Sequence, residues 1–277
     1  MLTRPIPHSG EALPILGLGT FRAFDQALGA APVRAALAEV LRLLLDAGGT
    51  MIDSSPMYGR AETVVGELLD EQESRERAFI ATKVWTRGKR DGERQMAESL
   101  RRLRAPSIAL MQVHNLVDTE THLATLRDWK RDGRVRYIGI THYTASAFAD
   151  LERVLAAHPE VDFCQFPYSL VDRDAEKRLL GVCADKGVAT LINRPFGQDA
   201  VFAAVAGKAL PDWASDIGCT SWAQVALKYL FADKRVTCVI PATSKPDHMR
   251  ENLKALDGPL PYLKLRARMA AFFDAIS

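Results

Sequence analysis

Two hydrophobic rhythms alternate along this chain. Residues 32–47 place Leu37, Val40, Leu41 and Leu44 at i, i+3, i+4 and i+7, the spacing of one helix face. Pro32 suits the first turn, where a missing N–H costs nothing, and Gly48–Gly49 stops the segment. The run TMIDSS (50–55) follows, apolar without alternation at its start, as in a strand buried on both faces. The same two patterns then repeat. Strands are expected at AFIATKVW (78–85), IALMQVH (108–114), VRYIGIT (135–141), VDFCQFPY (161–168), VATLIN (188–193) and VTCVIPAT (236–243). Helices are expected at 61–72, around Met96, Leu100 and Leu103 as far as Pro106, and at 121–133, 146–158, 174–187, 220–233 and 246–256, with a last one at 263–276. Residues from about 195 to 219 read as irregular.

Apolar strands separated by amphipathic helices predict a parallel sheet covered by helices. With the early segment ILGLGT (15–20) the strands number eight, and eight such units close into an α/β fold, the (β/α)8 TIM barrel. The expected organisation is one barrel domain over residues 1–277, since no composition break marks a linker. An open doubly wound sheet has the same rhythm. However, no GxGxxG follows an early strand, and GLGTF reads as a turn or a loop that a ligand approaches.

Composition narrows the function classes. With 36 Lys+Arg against 34 Asp+Glu, the chain has no electrostatic footprint for nucleic acid or an anionic membrane. The basic run RGKRDGERQ (87–95) is interleaved with acids and reads as a solvated loop. Cys164, Cys183, Cys219 and Cys238 form no CxxC pair, which argues against zinc and for buried free thiols in a reducing compartment. No segment has signal-peptide or membrane-span character, so the expected location is the cytoplasm. HExxH, GxSxG and GxxxxGK[ST] are all absent, leaving no metal, serine-hydrolase or P-loop signature.

Barrels of this class keep their chemistry at the carboxyl ends of the strands. Asp53, Lys83, His114, Thr141, Gln165, Asn193 and Thr243 all fall near such ends, and Tyr58 lies in the loop after Asp53. Each has a plainer explanation alone: a surface tyrosine, a solvated lysine, a structural histidine. Jointly, on successive strands, they make a proton-transfer constellation. A phenol titrates near 10, and an ammonium within about 4–6 Å lowers that value. Lys83 fills that role if Asp53 holds it, and His114 is placed to hydrogen-bond a substrate oxygen. This is an acid for a carbonyl oxygen or a base for an alcohol. A hydride source is then required, which side chains cannot supply. The segment IPATSKPDHMREN (240–252) is where its phosphates are expected, at a strand end, a polar loop and a helix start near Pro246. Thr243, Ser244, Lys245 and His248 add donors there; an ordinary capped loop is the plainer alternative. Gln165 and His142 are candidates for an amide substituent.

In these motifs, from LPILGLGTF through MIDSSPMYG, ATKVW, LMQVHN, VRYIGIT, FCQFPY and NRPFG to IPATSKPDHMREN, the chain resembles the aldo-keto reductases over nearly its whole length. The resemblance implies a (β/α)8 barrel that binds a nicotinamide cofactor without a Rossmann domain, and a catalytic tetrad of Asp53, Tyr58, Lys83 and His114. It implies hydride transfer to the carbonyl carbon and protonation of the oxygen by Tyr58, whose pKa Lys83 lowers. His114 and Trp85 join Tyr58 as substrate contacts. Gly19, Thr20 and Phe21 are implied beside the nicotinamide ribose with Asp53; Thr141, His142 and Gln165 at the carboxamide; Asn193, Arg194, Pro195 and Phe196 along the nicotinamide side; Ala242, Thr243, Ser244, Lys245 and His248 at the phosphates; and Glu251 and Asn252 at the adenine. Lys245 or Arg250 is the candidate for a 2′-phosphate.

Five positions depart from the common family pattern: Thr141–His142 in place of Ser-Asn, Asn193 where a stacking tyrosine is frequent, Ala242 for a lysine, and His248 for an arginine. NADPH is the expected cofactor, with NADH the other candidate. The short C-terminal part implies an open substrate pocket. The expected partner is a small carbonyl or alcohol, with neither nucleic acid nor membrane. A second reading is a cofactor-binding barrel used as a regulatory or redox-sensing subunit.

Overall fold

The computed structural model of the protein describes residues 1–276. Strands β1 (Thr3–Pro5) and β2 (Ala12–Pro14) form an antiparallel hairpin ahead of the barrel. Strand β3 (Leu18–Gly19) and helix α1 (Ala31–Asp46) begin the repeating unit. It continues through β4 (Met51–Asp53), α2 (Ala61–Glu71), β5 (Phe79–Val84), α3 (Lys89–Arg102), β6 (Ile108–His114) and α4 (Thr119–Arg131). Next come β7 (Val135–Thr141), α5 (Phe148–Ala157), β8 (Phe163–Pro167), α6 (Leu179–Asp185) and β9 (Ala189–Asn193). Three helices, α7 (Ala200–Ala204), α8 (Trp213–Asp216) and α9 (Trp222–Phe231), precede β10 (Cys238–Val239). Helices α10 (Pro246–Lys254) and α11 (Leu263–Asp274) finish the chain.

Strands β3 to β10 lie side by side in sequence order, every pair parallel. The first and last segments meet at a seam. Gly17 N–H donates to Val239 O at 2.9 Å and Gly19 N–H to Pro241 O at 3.0 Å, with parallel bridges Leu16–Val239 and Gly19–Ala242. A Cβ on Gly19 would stand 2.9 Å from the Ile240 carbonyl oxygen, so the seam needs glycine there. The sheet is thus a nearly closed (β/α)8 barrel.

Two cores hold it. Inside the barrel, Met51, Phe79, Ala81, Leu110, Phe163, Leu191 and Cys238 pack together, and Ile6 and Leu13 bring the hairpin onto that cluster. Outside, the opposite faces of the strands pack on the helices, with Leu37, Val40, Leu41 and Leu44 of α1 buried as their spacing requires. Each such side chain contributes roughly 1.5–3 kcal/mol by leaving water. All four cysteines are buried free thiols.

Some expectations needed revision. RGKRDGERQ is not a loop: α3 starts at Lys89, behind Gly88 with φ 82. In its first two turns only Gly92 and Met96 are buried, so the helical stripe is hidden in a polar run. The stretch from 195 to 219 holds the short helices α7 and α8, anchored by Val201, Trp213 and Ala214. The expected helix 174–187 splits into a 3₁₀ turn at Asp174–Glu176 and α6. The N-terminal hairpin was not anticipated, because strands of this length show no period.

Candidate active site

The strand alternation that fills the barrel with apolar side chains turns polar at its carboxyl end. Along β6, Leu110, Gln112 and His114 share the inward face, and in register Lys83 of β5 lies beside Gln112. Asp53 ends β4 beside Gly19. The result is a buried polar layer above the inner core. Lys83 is fully buried, and its Nζ donates to Asp53 Oδ1 at 2.8 Å, Asp53 Oδ2 at 2.7 Å and Ser54 O at 2.7 Å. Asp53 Oδ1 also accepts from Gln165 Nε2 at 3.0 Å and Gln112 Nε2 at 3.2 Å. Thr141 Oγ1 in turn donates to Gln165 Oε1 at 2.8 Å.

Tyr58 reaches this layer from the loop after β4. Its ring centroid lies 5.1 Å from Lys83 Nζ, 5.0 Å from the Phe21 ring and 6.2 Å from the His114 ring. Trp85 stands 6.4 Å from His114 on the other flank. Phe21 is 48% exposed and Trp85 38%, so two aromatic walls face solvent on either side of Tyr58 and His114. The four residues expected to do the chemistry are therefore assembled at one mouth, with apolar surface around them for a substrate.

Electrostatics sets the protonation states. Burial works against the Lys83 ammonium, but Asp53 and then Tyr58 outweigh it, and Lys83 is held above its ordinary pKa as a cation. Tyr58 differs from the simple expectation. Burial raises its phenol, Lys83 lowers it, Asp53 raises it again, and the balance lies above the ordinary value of 10. Lys83 therefore offsets a desolvation cost rather than producing a net acidic shift. For a proton donor this is serviceable: the hydroxyl stays protonated at neutral pH while a cation stands ready to stabilise the phenolate. His114 is pushed down to about 3, first by burial, then by Lys83 and His142. Its imidazole is neutral. Ser55 Oγ accepts from Met57 N–H at 3.3 Å and lies 3.3 Å from His114 Nδ1. When the Ser55 hydrogen points at Nδ1, the His114 hydrogen is on Nε2; the second lone pair of Ser55 Oγ equally accepts from an Nδ1–H.

The residues expected around a dinucleotide lie along the same rim, in varied states. Asn193 ends β9 with its Oδ1 buried and without a partner, and Gln165 keeps one N–H beyond its bond to Asp53. Arg194 has left-handed backbone (φ 50) and places its guanidinium 4.8 Å from the Tyr143 ring centroid. Tyr143, Ser169, Asp172, Arg194 and Gln198 help line a cavity of about 650 Å³. Pro195 is buried and Phe196 packs on Phe202 at 5.0 Å. His142 Nδ1 accepts from Thr144 N–H at 3.2 Å.

On the far side, Thr243 Oγ1 accepts from Lys245 N–H at 3.0 Å and shapes the turn into α10, with Ala242, Lys245 and His248 exposed and Ser244 half-buried. Glu251 is half-buried and Asn252 buried on that helix. Two side chains are already engaged. Thr20 is fully buried, its hydroxyl donating to Asp53 O at 2.9 Å. Arg250 binds Glu39 at 2.7 Å and Asp247 at 2.9 Å, which leaves the Lys245 and His248 side chains as the freer nitrogen donors at the helix start.

Orphaned Asn193 Oδ1, the spare Gln165 N–H, the cavity beside Arg194 and a helix N-terminus with an exposed lysine fit a ligand with an amide-bearing ring at one end and phosphates at the other. Among the described residues no cluster of His, Cys, Asp and Glu is arranged to hold a metal ion. Gln112 and Ser55 were not anticipated as site residues. Gln112 was findable: a glutamine two positions before His114 in an apolar strand shares its inward face.

A model described as the aldo/keto reductase family matches residues 15–265. The aldo-keto reductase YhdN of Bacillus subtilis (strain 168) is 29% identical over 202 residues, 68% of this chain and 60% of that protein, so the match spans less than two thirds of the relative. Among solved structures, an aldo/keto reductase from Klebsiella pneumoniae in complex with NADP and acetate superposes with a TM-score of 0.81 at 23% identity, covering 99% of this chain and 96% of the other. The thermostable aldo-keto reductase Tm1743, in complex with the inhibitor epalrestat, gives 0.80 at 25% identity with both chains fully covered.

Proposed function

The chain belongs to the aldo/keto reductase family, and from that premise we propose that it is an NAD(P)H-dependent oxidoreductase interconverting an aldehyde or ketone and its alcohol. One observation carries the reading: Lys83 Nζ sits on both oxygens of Asp53 with its charge 5.1 Å from the Tyr58 ring, and His114 flanks the same phenol. Bound nicotinamide cofactor supplies the hydride. Tyr58 gives its hydroxyl proton to the carbonyl oxygen, and Lys83 stabilises the phenolate left behind. Asp53 keeps Lys83 charged and immobile inside the barrel. His114 donates from Nε2 to the same oxygen and fixes the carbonyl, and Phe21 and Trp85 exclude water around it.

Gln165, Thr141 and His142 are assigned to the carboxamide, Asn193 and Arg194 to Phe196 to the nicotinamide side, and Gly19, Thr20 and Phe21 with Asp53 to the ribose. Ala242 to Lys245 and His248 take the phosphates, and Glu251 and Asn252 the adenine. Relatives solved with NADP and NADPH support NADPH as the cofactor. The reading treats residues 1–277 as one domain, supported by an outer core that runs from Ile15 to Phe273. No helix among the described residues is long and apolar enough to cross a membrane. A cytoplasmic site of action is part of the proposal, supported by the four buried free thiols.

The protonation states predict the pH profile of reduction. His114, at about 3, is neutral above acid pH, and Tyr58 stays protonated until well into the alkaline range. The kcat/KM for aldehyde reduction should be flat between roughly pH 5 and 9 and fall only above it, as Tyr58 loses its proton. An acid limb near the ordinary imidazole value would show that His114 titrates and that its assigned state is wrong.

Cofactor choice is tested at α10. His248→Arg places a fixed guanidinium at an exposed first-turn position beside Lys245. It should tighten NADPH by about fivefold, near 1 kcal/mol for one partly exposed charge pair, and NADH much less. Titration of tryptophan fluorescence with each cofactor measures this. An equal response to both would place the 2′-phosphate elsewhere.

A further inference from the structure

Gln112 is the one side chain of the buried polar layer that has no place in the chemistry just described. It is fully buried and two residues deeper on β6 than His114, beneath any bound ligand. Its Nε2 donates to Asp53 Oδ1 at 3.2 Å, while its Oε1 is buried without a partner. A buried carbonyl oxygen left unpaired is costly, and an apolar side chain of the same volume would remove that cost. The surroundings are also shaped for this amide. A Cβ on Gly139, the residue in register across the β6–β7 pair, would stand 2.8 Å from Gln112 Cγ. Glycine at that position is what lets the side chain extend toward Asp53.

We infer that Gln112 is a positioning residue for the proton donor, acting through Asp53; the inference rests on the reading of Tyr58 as the acid. Asp53 Oδ1 takes three donors: Lys83, Gln165 and Gln112. Gln165 lies at the level where a carboxamide is expected and bonds Thr141 as well, so it serves the ligand site as well as Asp53. Gln112 cannot reach ligand, and its N–H remains on Asp53 throughout. That donor draws off part of the carboxylate charge and fixes its rotamer against Lys83. Without it, Asp53 presents more negative charge to Tyr58, and Lys83 is less firmly placed. Both changes raise the proton affinity of the phenol and weaken it as an acid.

Gln112→Met keeps the volume and removes the donor. Gly139→Ala keeps the amide and displaces it, so the two variants reach the same contact by different routes. The expected result for both is a kcat lowered on the order of tenfold, part of the 10²–10⁴ that a positioned acid supplies, an alkaline limb moved to higher pH, and an unchanged NADPH Kd. A packing defect alone would lower kcat without moving the limb. The titration of Tyr58 itself, followed by ¹³C-tyrosine NMR with no cofactor present and its resonance assigned by its absence from Tyr58→Phe, should move in the same direction. An unmoved Tyr58 midpoint in both variants overturns the inference. If wild type shows no cofactor-dependent turnover while the midpoint still moves in both variants, the proposed function fails and only the coupling of Gln112 to the Tyr58 proton through Asp53 stands.

Discussion

Tyr58→Phe is expected to lower kcat for reduction of 4-nitrobenzaldehyde with NADPH by about 10²–10⁴-fold, with the NADPH Kd within about twofold of wild type. The change deletes one hydroxyl and keeps the ring. The edge-on contact with Phe21 at 5.0 Å and the Lys83 charge 5.1 Å from the centroid both survive, so the local fold has no reason to move. What is lost is the only group at the mouth that combines a proton held at neutral pH with a cation behind it. His114 cannot replace it as a charged acid, because burial holds it neutral down to about pH 3. Progress curves at saturating cofactor, with fluorescence titration of the same samples, separate the two readouts. Turnover within a few-fold of wild type would mean that another group protonates the oxygen.

Lys83→Met has the second large effect, and it is double. In the catalytic reading it removes the charge that stabilises the phenolate, so kcat falls by about 10²-fold or more. The residual activity keeps a signature: without the cation the Tyr58 phenol rises further, and alcohol oxidation, which needs phenolate, moves to higher pH. In the structural reading it leaves Asp53, only 3% exposed, as a buried carboxylate without its ion-pair partner. Breaking one side of such a pair costs roughly 3–5 kcal/mol. Urea denaturation should register that loss, and Asp53→Asn, Lys83→Met together should recover part of it without recovering activity. Full stability in the single variant would show that Lys83 and Asp53 are not the tight pair of 2.7 Å and 2.8 Å contacts described above.

Much of this was legible in the sequence because barrels convert order into position. Once eight strand-like runs are recognised, the last residues of each run must meet at one rim. Asp53, Lys83, His114, Thr141, Gln165 and Asn193 follow from that rule alone. Details that depend on three-dimensional company were not legible. The basic run at 87–95 hid the start of α3, because a helix docked through Gly92 and Met96 shows a solvated face for two turns. The N-terminal hairpin had too few residues to carry a period. The sign of the Tyr58 shift depends on how completely its ring is covered, which no motif encodes, and burial proved stronger than the neighbouring lysine. The engagement of Arg250 with Glu39 joins residues far apart in the chain, and spacing along α10 says nothing of it.

The central claim is that a hydride reaches a carbonyl carbon at this mouth while Tyr58 protonates the oxygen. Mass spectrometry of the alcohol made from 4-nitrobenzaldehyde, with NADPH doubly deuterated at the nicotinamide C4, tests it most directly. One deuterium per molecule at the carbinol carbon, formed by wild type and nearly absent with Tyr58→Phe, is the predicted result. Alcohol without deuterium, or equal labelled yield and rate from both proteins, would contradict it.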